Sequence, residues 1–312
     1  MSKGIYSSLF GDGSPTPKRK SIFDGLKTEK PEKIEKKKPE STPKTAEKTV
    51  PAAPTPVASD SLDIDIPVKN ARFQNDDALK AVFQGKALST GEKGEHVTKI
   101  QQSLLDLGFA LPSGVDGGFG NETKLALKGF QTSQKLPATG VLDAKTLRAL
   151  DEVAPAPGLK AWEDPNLSPK AYQPPQQIGD KLTRVVVDKS EHRLFLYDKD
   201  GGLEHIYPVA TGQDATPTDP MIKIVNGKLK DPSDVGRRLW NNPKAFGTRL
   251  IDLSKYDPVS KKATGHGEEI HGTFVDSSVG TNASHGCMRM YNQDVEKLYD
   301  LLKQGDLVVV QE

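Results

Sequence analysis

The sequence predicts a multidomain protein: a disordered N-terminal tail, a small all-α module of three helices, and a mainly β domain with one C-terminal helix. Three observations support this fold class. Residues 1–70 are dominated by Lys, Glu, Pro and Thr, residues 85–152 carry apolar side chains at helical spacing, and residues 182–312 contain many short β-branched runs. Residues 153–181, rich in proline, are predicted to be a linker.

The tail contains too few apolar residues to offset the entropy lost when a chain is ordered. We therefore expect residues 1–70 to act as a solvated tether. The Lys- and Arg-containing stretch from Pro17 to Lys44 leaves a second interpretation open, a basic tail that docks on a partner or serves as an address. A short helix is expected over residues 77–83, at the edge of the module that follows.

Three helices are predicted in the module from their apolar faces and end signals. The first face consists of Val97, Ile100, Leu104, Leu105 and Leu107. Gly108 is expected to end that helix and Asn121 to cap the next one. The second face consists of Leu125, Leu127 and Phe130, and the third of Thr146, Leu147 and Leu150.

Alternating and β-branched runs predict the strands of the second domain. They are residues 184–188, 193–197, 205–210, 221–225 and 307–310. Residues 294–302 place apolar side chains on one helical face and give the helix of this domain. In the linker, Trp162 is expected to pack against one of the domains. Trp240, in a charged segment that the sequence does not assign, is expected to pack in the core rather than to serve as a substrate platform.

Composition excludes several classes of function. The chain has 43 Lys and Arg against 42 Asp and Glu, a net charge of +1, so no overall field attracts nucleic acid or an anionic membrane. No apolar run is long enough for a membrane span. No apolar stretch of signal-peptide length precedes Gly11, so classical secretion is not expected and the export route stays open.

The chain's single cysteine, Cys287, is the strongest chemical signal. It lies in Ser284-His285-Gly286-Cys287-Met288-Arg289, which follows His271-Gly272-Thr273, and His285 is fourteen positions after His271. A thiol attacks as thiolate, and a neighbouring histidine can take its proton, so His271 and His285 are both candidate bases. Two other interpretations are open: an inert buried cysteine, and a zinc site formed by Cys287, His285 and His271 with His266.

Residues 91–146 resemble the three-helix peptidoglycan-binding domain. The matching residues are Gly91, Gly94, Val97, Leu107-Gly108, Phe119-Gly120, Thr123, Phe130-Gln131, Gly140 and Thr146. One departure is the pair Gly117-Gly118 ahead of the aromatic residue. The resemblance implies that peptidoglycan is the partner. Because most of the matching positions are core and turn positions, a purely structural role as a spacer is the alternative.

Residues 182–311 resemble the YkuD-like L,D-transpeptidase catalytic domain. The resemblance rests on the His271-Gly272-Thr273 and Ser284–Arg289 motifs and on the opening strands. It implies Cys287 as nucleophile, His271 as proton donor and acceptor, the backbone carbonyl of Gly272 as the group that orients His271, and amides around Gly286 and Cys287 as an oxyanion hole. Accessory roles are implied for Ser284, His285, Arg289 and Thr273. No metal or cofactor is required.

The activity implied by this family is transfer of peptidoglycan stem peptides through a thioester, in cell-wall biogenesis and cell shape. An amine acceptor gives 3-3 cross-links, and water gives L,D-carboxypeptidase trimming. The site of action would be the bacterial cell envelope or periplasm. One alternative is a catalytically inactive peptidoglycan-binding protein. Another is a payload that a contractile injection system loads in the cytoplasm. The family's usual glycine after Thr-Pro is replaced by Asp219-Pro220. Proline restricts the backbone, so the shape of the pocket wall that this segment forms in the family is not predicted here.

Overall fold

The computed structural model describes residues 68–312. The predicted tail therefore lies outside the described residues except for its last three positions. Of these, Lys69 and Asn70 donate their backbone amides to the carboxylate of Asp151, at 3.0 and 2.8 Å. Within this part of the chain, no helix has the length and apolar character needed to cross a membrane.

A helical module opens the described chain. It consists of α1 (Asp77–Phe83), α2 (Glu95–Asp106), α3 (Asn121–Ser133) and α4 (Ala144–Val153). The three predicted helices and the short helix before them are confirmed. Two details differ. The N-cap of α3 is Gly120 rather than Asn121, and Leu125 is 39% exposed although we assigned it to the apolar face.

Buried polar side chains hold the helices of the module to the turns between them. Gln101 donates to Thr123 Oγ1 at 3.0 Å and accepts from the amide of Gly117 at 2.8 Å. Gln131 repeats the arrangement with Thr146 and the amide of Gly140, at 3.1 and 2.8 Å. Several positions that match the peptidoglycan-binding pattern are therefore structural.

The β domain is built on one eight-stranded sheet. Its strands are β3 (Val185–Asp188), β4 (Arg193–Tyr197), β5 (Leu203–Pro208), β7 (Ile222–Leu229), β8 (Leu250–Asp257), β9 (Lys262–Gly272), β11 (Met288–Met290) and β12 (Leu307–Gln311). Their order is β11-β9-β8-β7-β12-β3-β4-β5, with β11–β9 and β12–β3 parallel and the other pairs antiparallel.

Two small sheets accompany the large one. They are formed by β1 (Gln177–Ile178) with β2 (Lys181–Leu182), and by β6 (Thr211–Gly212) with β10 (Asn282–Ser284).

The predicted C-terminal helix is α6 (Asn292–Leu301), whose Val295 and Leu298 are buried. The prediction of a single helix in this domain is wrong, because α5 (Ser233–Trp240) occupies the charged segment that the sequence left unassigned. The helix was missed because it has only eight residues, of which Gly236 alone is buried, so its apolar positions Val235 and Leu239 are too few to give a periodic pattern. The fold class of helical module followed by mainly β domain is confirmed.

The segment between the module and the β domain is packed rather than extended. It contains two 3-10 turns, Ala161–Glu163 and Pro169–Ala171, and Ala161 and Ala171 are each 1% exposed. Trp162 packs as predicted, with its ring 5.3 Å from that of His205 on β5. One apolar core therefore runs from the module through this segment to Val186, Phe195 and Ile206 of the sheet.

Candidate active site

His271 lies at the end of β9, where its side chain is 3% exposed. Its Nδ1 is 2.6 Å from the carbonyl oxygen of Gly272, so Nδ1 carries the proton that it donates and Nε2 is left as an acceptor. Burial lowers the pKa of His271 to about 4, with Arg289 adding to the effect and the Gly272 bond opposing it. The imidazole is therefore neutral at pH 7 and able to accept a proton at Nε2.

Gly272 is required by close packing as well as by the carbonyl that it presents to His271. A Cβ at this position would lie 2.2 Å from Asn292 Oδ1. Asn292, the first residue of α6, accepts from the amide of Thr248 at 3.1 Å and donates to the carbonyl of Thr273 at 2.8 Å. The start of α6 thus fixes the chain immediately after His271. Thr273, predicted as accessory, is buried and contributes this carbonyl.

Cys287 lies in the turn that joins β10 to β11, and it is half-buried. Gly286 before it has φ +112°, a conformation that side chains rarely adopt. Ser284 Oγ bridges this turn, accepting from the amide of Gly286 at 3.0 Å and donating to the carbonyl of Cys287. Thr218 Oγ1 holds the same turn from outside by donating to the carbonyl of Gly286 at 2.8 Å.

These bonds correct one predicted role. The amide of Gly286 was expected to serve as an oxyanion-hole donor, but in the structure it is engaged by Ser284 Oγ. A backbone amide has one proton, so this donor is not free for a substrate oxygen in this conformation. Of the predicted pair of amides, that of Cys287 is left as the candidate. Ser284 is correspondingly a residue that shapes the turn.

The sulfur of Cys287 donates to a group that the sequence prediction missed. Sγ is 2.8 Å from Oε2 of Glu269. Burial raises the pKa of the Cys287 thiol well above its ordinary value, and the negative charge of Glu269 raises it further. Glu269 precedes His271 by two residues on β9, so both side chains project from the same face of the strand. The two-residue spacing of Glu269 and His271 could be read from the sequence. The pairing of β9 with β11, which brings Glu269 to the sulfur, could not.

A cavity of about 630 Å³ brings the predicted catalytic pair together, since Cys287 and His271 both line it. Its other lining residues are Leu239, Trp240, Asn242, Ala245, Phe246, Glu269, Thr273, Phe274, Val275, His285 and Arg289. Of the predicted accessory residues, His285 and Arg289 face the cavity with Thr273, whereas Ser284 does not. His285 is exposed and lies 5.4 Å from the ring of Trp240.

The expectation that Trp240 packs in the core is wrong. Trp240 is 54% exposed at the last residue of α5, where it lines the cavity. Phe274, also 54% exposed, and Leu239, 50% exposed, line the cavity with it. These apolar side chains were not recognisable as a rim, because the sequence does not show that α5 approaches the segment after His271.

The unusual Asp219-Pro220 segment lies away from the cavity lining. The amide of Asp219 donates to Glu268 Oε1 at 2.9 Å, and Glu268 forms a buried ion pair with Lys223 at 2.5 Å. The segment is therefore tied to the face of β9 opposite Glu269 and His271. The departure of Asp219-Pro220 from the family pattern therefore bears on the contacts that hold β9 rather than on the residues that line the cavity.

The residues whose side chains are described include no group of three or more His, Cys, Asp and Glu side chains arranged to hold a metal ion. Of the zinc ligands considered from the sequence, the side chain of His266 lies outside the described residues. His271 is committed through Nδ1 to the carbonyl of Gly272, and Cys287 to Glu269.

Two family models match the chain. The L,D-transpeptidase catalytic domain (YkuD) matches residues 182–310, and the putative peptidoglycan binding domain matches residues 93–150. Putative L,D-transpeptidase YqjB from Bacillus subtilis (strain 168) is 31% identical over 132 residues, which are 40% of this chain and 69% of the relative.

Two further matches are more distant. Probable L,D-transpeptidase ErfK/SrfK from Escherichia coli (strain K12) is 25% identical over 147 residues, 44% of this chain and 47% of the relative. The chain thus spans about half the length of this relative. A solved L,D-transpeptidase from Xylanimonas cellulosilytica matches 72% of this chain and 98% of its own, with 20% identity and a TM-score of 0.42.

Proposed function

Because the chain belongs to the L,D-transpeptidase catalytic-domain family, we propose that it transfers peptidoglycan stem peptides, with Cys287 as the nucleophile. The observation that carries the proposal is the shared cavity. It exposes the chain's only thiol to solvent-accessible space beside a neutral histidine whose Nε2 can accept a proton. A thiol with an adjacent base is sufficient for acyl transfer.

The first half of the reaction forms a thioester. Nε2 of His271 takes the Cys287 proton, and the thiolate attacks the carbonyl of the third stem residue, a diaminopimelate. The amide of Cys287 is the proposed donor to the oxygen that becomes negative, which is commonly a large contribution to catalysis. As the tetrahedral intermediate collapses, the imidazolium returns its proton to the nitrogen of the departing D-alanine.

The second half releases the acyl group. An amine of a neighbouring stem attacks the thioester and gives a 3-3 cross-link, whereas water gives a trimmed tripeptide. Imidazole takes the proton from the attacking group and returns one to the sulfur, so Cys287 regains its thiol. No step requires a metal or cofactor. The rigid turn around Cys287 supports the proposal, because bonds from Ser284 and Thr218 already fix the nucleophile's backbone.

The helical module is proposed to hold peptidoglycan beside the catalytic cavity. Its match to a peptidoglycan-binding model supports this role. Since the module shares an apolar core with the sheet, it would present bound peptidoglycan in a defined orientation, which a flexible linker would not do. The proposed site of action is the cell envelope. For the tail, docking on a partner remains a proposal.

The test is product analysis by mass spectrometry on a defined disaccharide-tetrapeptide. Wild-type protein is expected to release D-alanine and to form cross-linked dimers or tripeptide. Cys287→Ala should abolish turnover, and His271→Ala should reduce it by about 100-fold or more. His205→Gln, on β5 at the far edge of the sheet, is the control and should turn over normally. Undiminished turnover by Cys287→Ala, or none by the wild type, would contradict the proposal.

A further inference from the structure

Glu269 is a carboxylate inside the catalytic cavity to which the proposed reaction assigns no role. It is 2% exposed, and among the described residues that line the cavity it is the only carboxylate. Its Oε2 accepts the hydrogen of the nucleophile at 2.8 Å. A thiol held in this way is stabilised in its protonated, unreactive form.

The surroundings of Glu269 increase the influence of its charge. Most of the cavity wall is apolar, and charges interact more strongly where water is scarce. Asp252 lies directly opposite Glu269 in the β8–β9 pair, is fully buried, and accepts from Asn226 Nδ2 at 2.8 Å. A second acidic side chain facing the first favours the entry of a positive charge or a proton at this point.

The cavity has two sources of positive charge, a side chain of the protein and the substrate. Arg289 on β11 lies opposite His271 in the register of the parallel pair, two residues after Cys287, and it lines the cavity. The other source is the substrate, because the acyl acceptor of the proposed reaction is an amine. With an ordinary pKa of about 10, an alkyl amine arrives as ammonium.

We propose that Glu269 is a positioning residue that receives the ammonium group of the amine substrate, and that its charge keeps Cys287 in the thiol form until that cation arrives. The inference rests on the proposed function for the identity of its substrates. It would restrict the reactive thiolate to the complex in which an amine is already bound, which would limit wasteful reaction of the free enzyme.

In the free enzyme the S–H bond of Cys287 points to Glu269. An arriving ammonium donates N–H bonds to Glu269 and displaces the thiol, whose proton passes to Nε2 of His271. After acylation, the ammonium gives one proton to Glu269 and attacks the thioester as the free amine. Its second proton passes through His271 to the departing sulfur, and Glu269 later releases its proton to water.

Of the charged and titratable groups that surround the sulfur, some favour the thiol form of Cys287 and others favour the thiolate. Glu269 and, less directly, Glu268 on β9 disfavour the thiolate, while the backbone amide of Glu269 favours it. Arg289 on β11 lowers the pKa of His271, and Asp252 on β8 faces Glu269. His285 lies on the turn of Cys287 itself. Neutralising Glu269 removes the charge that is bonded directly to the sulfur.

The experiment measures alkylation of Cys287 by iodoacetamide in the full chain from pH 6 to pH 10. Glu269→Gln is expected to lower the thiol pKa by at least one unit, which is about a tenfold faster reaction at neutral pH. Glu269→Asp keeps the charge but withdraws it from the sulfur, so its rate should fall between those of the wild type and Glu269→Gln. An equal or slower rate in Glu269→Gln, with unchanged thermal melting, would overturn the proposal.

A second measurement does not depend on a variant that folds. The probe is meso-diaminopimelate, compared with its bis-N-acetyl form at the same ionic strength. The free amino form should accelerate alkylation of the wild type, and the acetylated form should not. No acceleration, or a slowing by both forms, would contradict reception of an ammonium at Glu269.

These outcomes are separable from those of the proposed function. If the alkylation profile shifts as expected while muropeptides are not processed, the transpeptidase proposal fails and the charge effect of Glu269 stands. If muropeptides are processed while alkylation is indifferent to Glu269, the positioning role alone fails.

Discussion

Thr218 shows how a residue outside the cavity controls the geometry of the nucleophile. Its hydroxyl is fully buried, accepts from the amide of Gly212 at 2.8 Å and donates to the carbonyl of Gly286 at the same distance. The hydroxyl therefore connects β6 to the turn that carries Cys287. Removing it leaves a buried donor and a buried acceptor without this partner, which costs about 1–3 kcal/mol for each group.

Thr218→Val tests this connection. We expect a loss of about 2 kcal/mol or more in the free energy of unfolding and a slower acylation of Cys287, measured by denaturant titration and by β-lactam adduct formation. Thr216→Val is the matched control, because its hydroxyl makes only a long contact of 3.4 Å to Ser284. Equal effects in the two variants would contradict a specific role for Thr218.

At this scale, residue types and spacing predicted part of the site. A lone cysteine beside glycine-flanked histidines indicated Cys287, with His271 and His285 as candidate bases, and the family resemblance selected His271. The structure places all three in one cavity. Glu269 was missed because its proximity to the sulfur depends on the parallel register of β9 and β11, which local sequence does not encode. The occupation of the Gly286 amide by Ser284 is likewise a matter of turn geometry.

At the scale of elements, the start of α6 acts as a clamp on the end of β9. The side chain of Asn292 bonds to Thr248 on one side and to Thr273 on the other. The loop that contains Phe246 and Thr248 is thereby held against the strand that carries His271. Phe246 in turn packs edge-on against the imidazole, with ring centroids 4.8 Å apart.

Asn292→Ala should loosen this clamp. The expected loss of stability is about 1–2 kcal/mol, with a fall in turnover that exceeds any change in the alkylation rate of Cys287, because the variant disturbs the base and leaves the thiol's own turn intact. Gln293→Ala, at the exposed next position of α6, provides the control. Turnover that is unaffected in Asn292→Ala would argue against the clamp.

Helices with a long buried face were predictable, and the short helix α5 was not. The spacing of Val97, Ile100 and Leu104 located α2 because these side chains are buried. In α5 the apolar spacing of Val235 and Leu239 extends over only eight residues, and Leu239 and Trp240 face the cavity instead of a core. So short a pattern does not distinguish a helix from a loop in the sequence.

For the whole molecule, Arg193 joins the helical module to the catalytic sheet. It is 1% exposed, forms an ion pair with Glu191, and donates to the carbonyls of Leu107 and Ala171, each at 2.9 Å. Its guanidinium lies 4.3 Å from the ring centroid of Phe109. Three parts of the chain therefore meet at one buried cation.

Arg193→Ala should uncouple these parts. Breaking a buried ion pair by removing one partner costs about 3–5 kcal/mol, and we expect calorimetry to show two thermal transitions where the wild type shows one. Arg184→Ala, which removes a half-buried cation paired with Glu204, should cost about 1 kcal/mol or less and keep a single transition. A single transition in Arg193→Ala would mean that the modules are coupled by other contacts.

Cys287 is the residue that becomes acylated in the proposed reaction, and trapping the acyl-enzyme shows whether it does. Full-length protein is incubated with a carbapenem, and its intact mass and peptide map are measured. We expect one covalent adduct per chain, located on Cys287, and none on Cys287→Ala. An adduct on another residue, or a wild-type protein that remains unmodified, would contradict it.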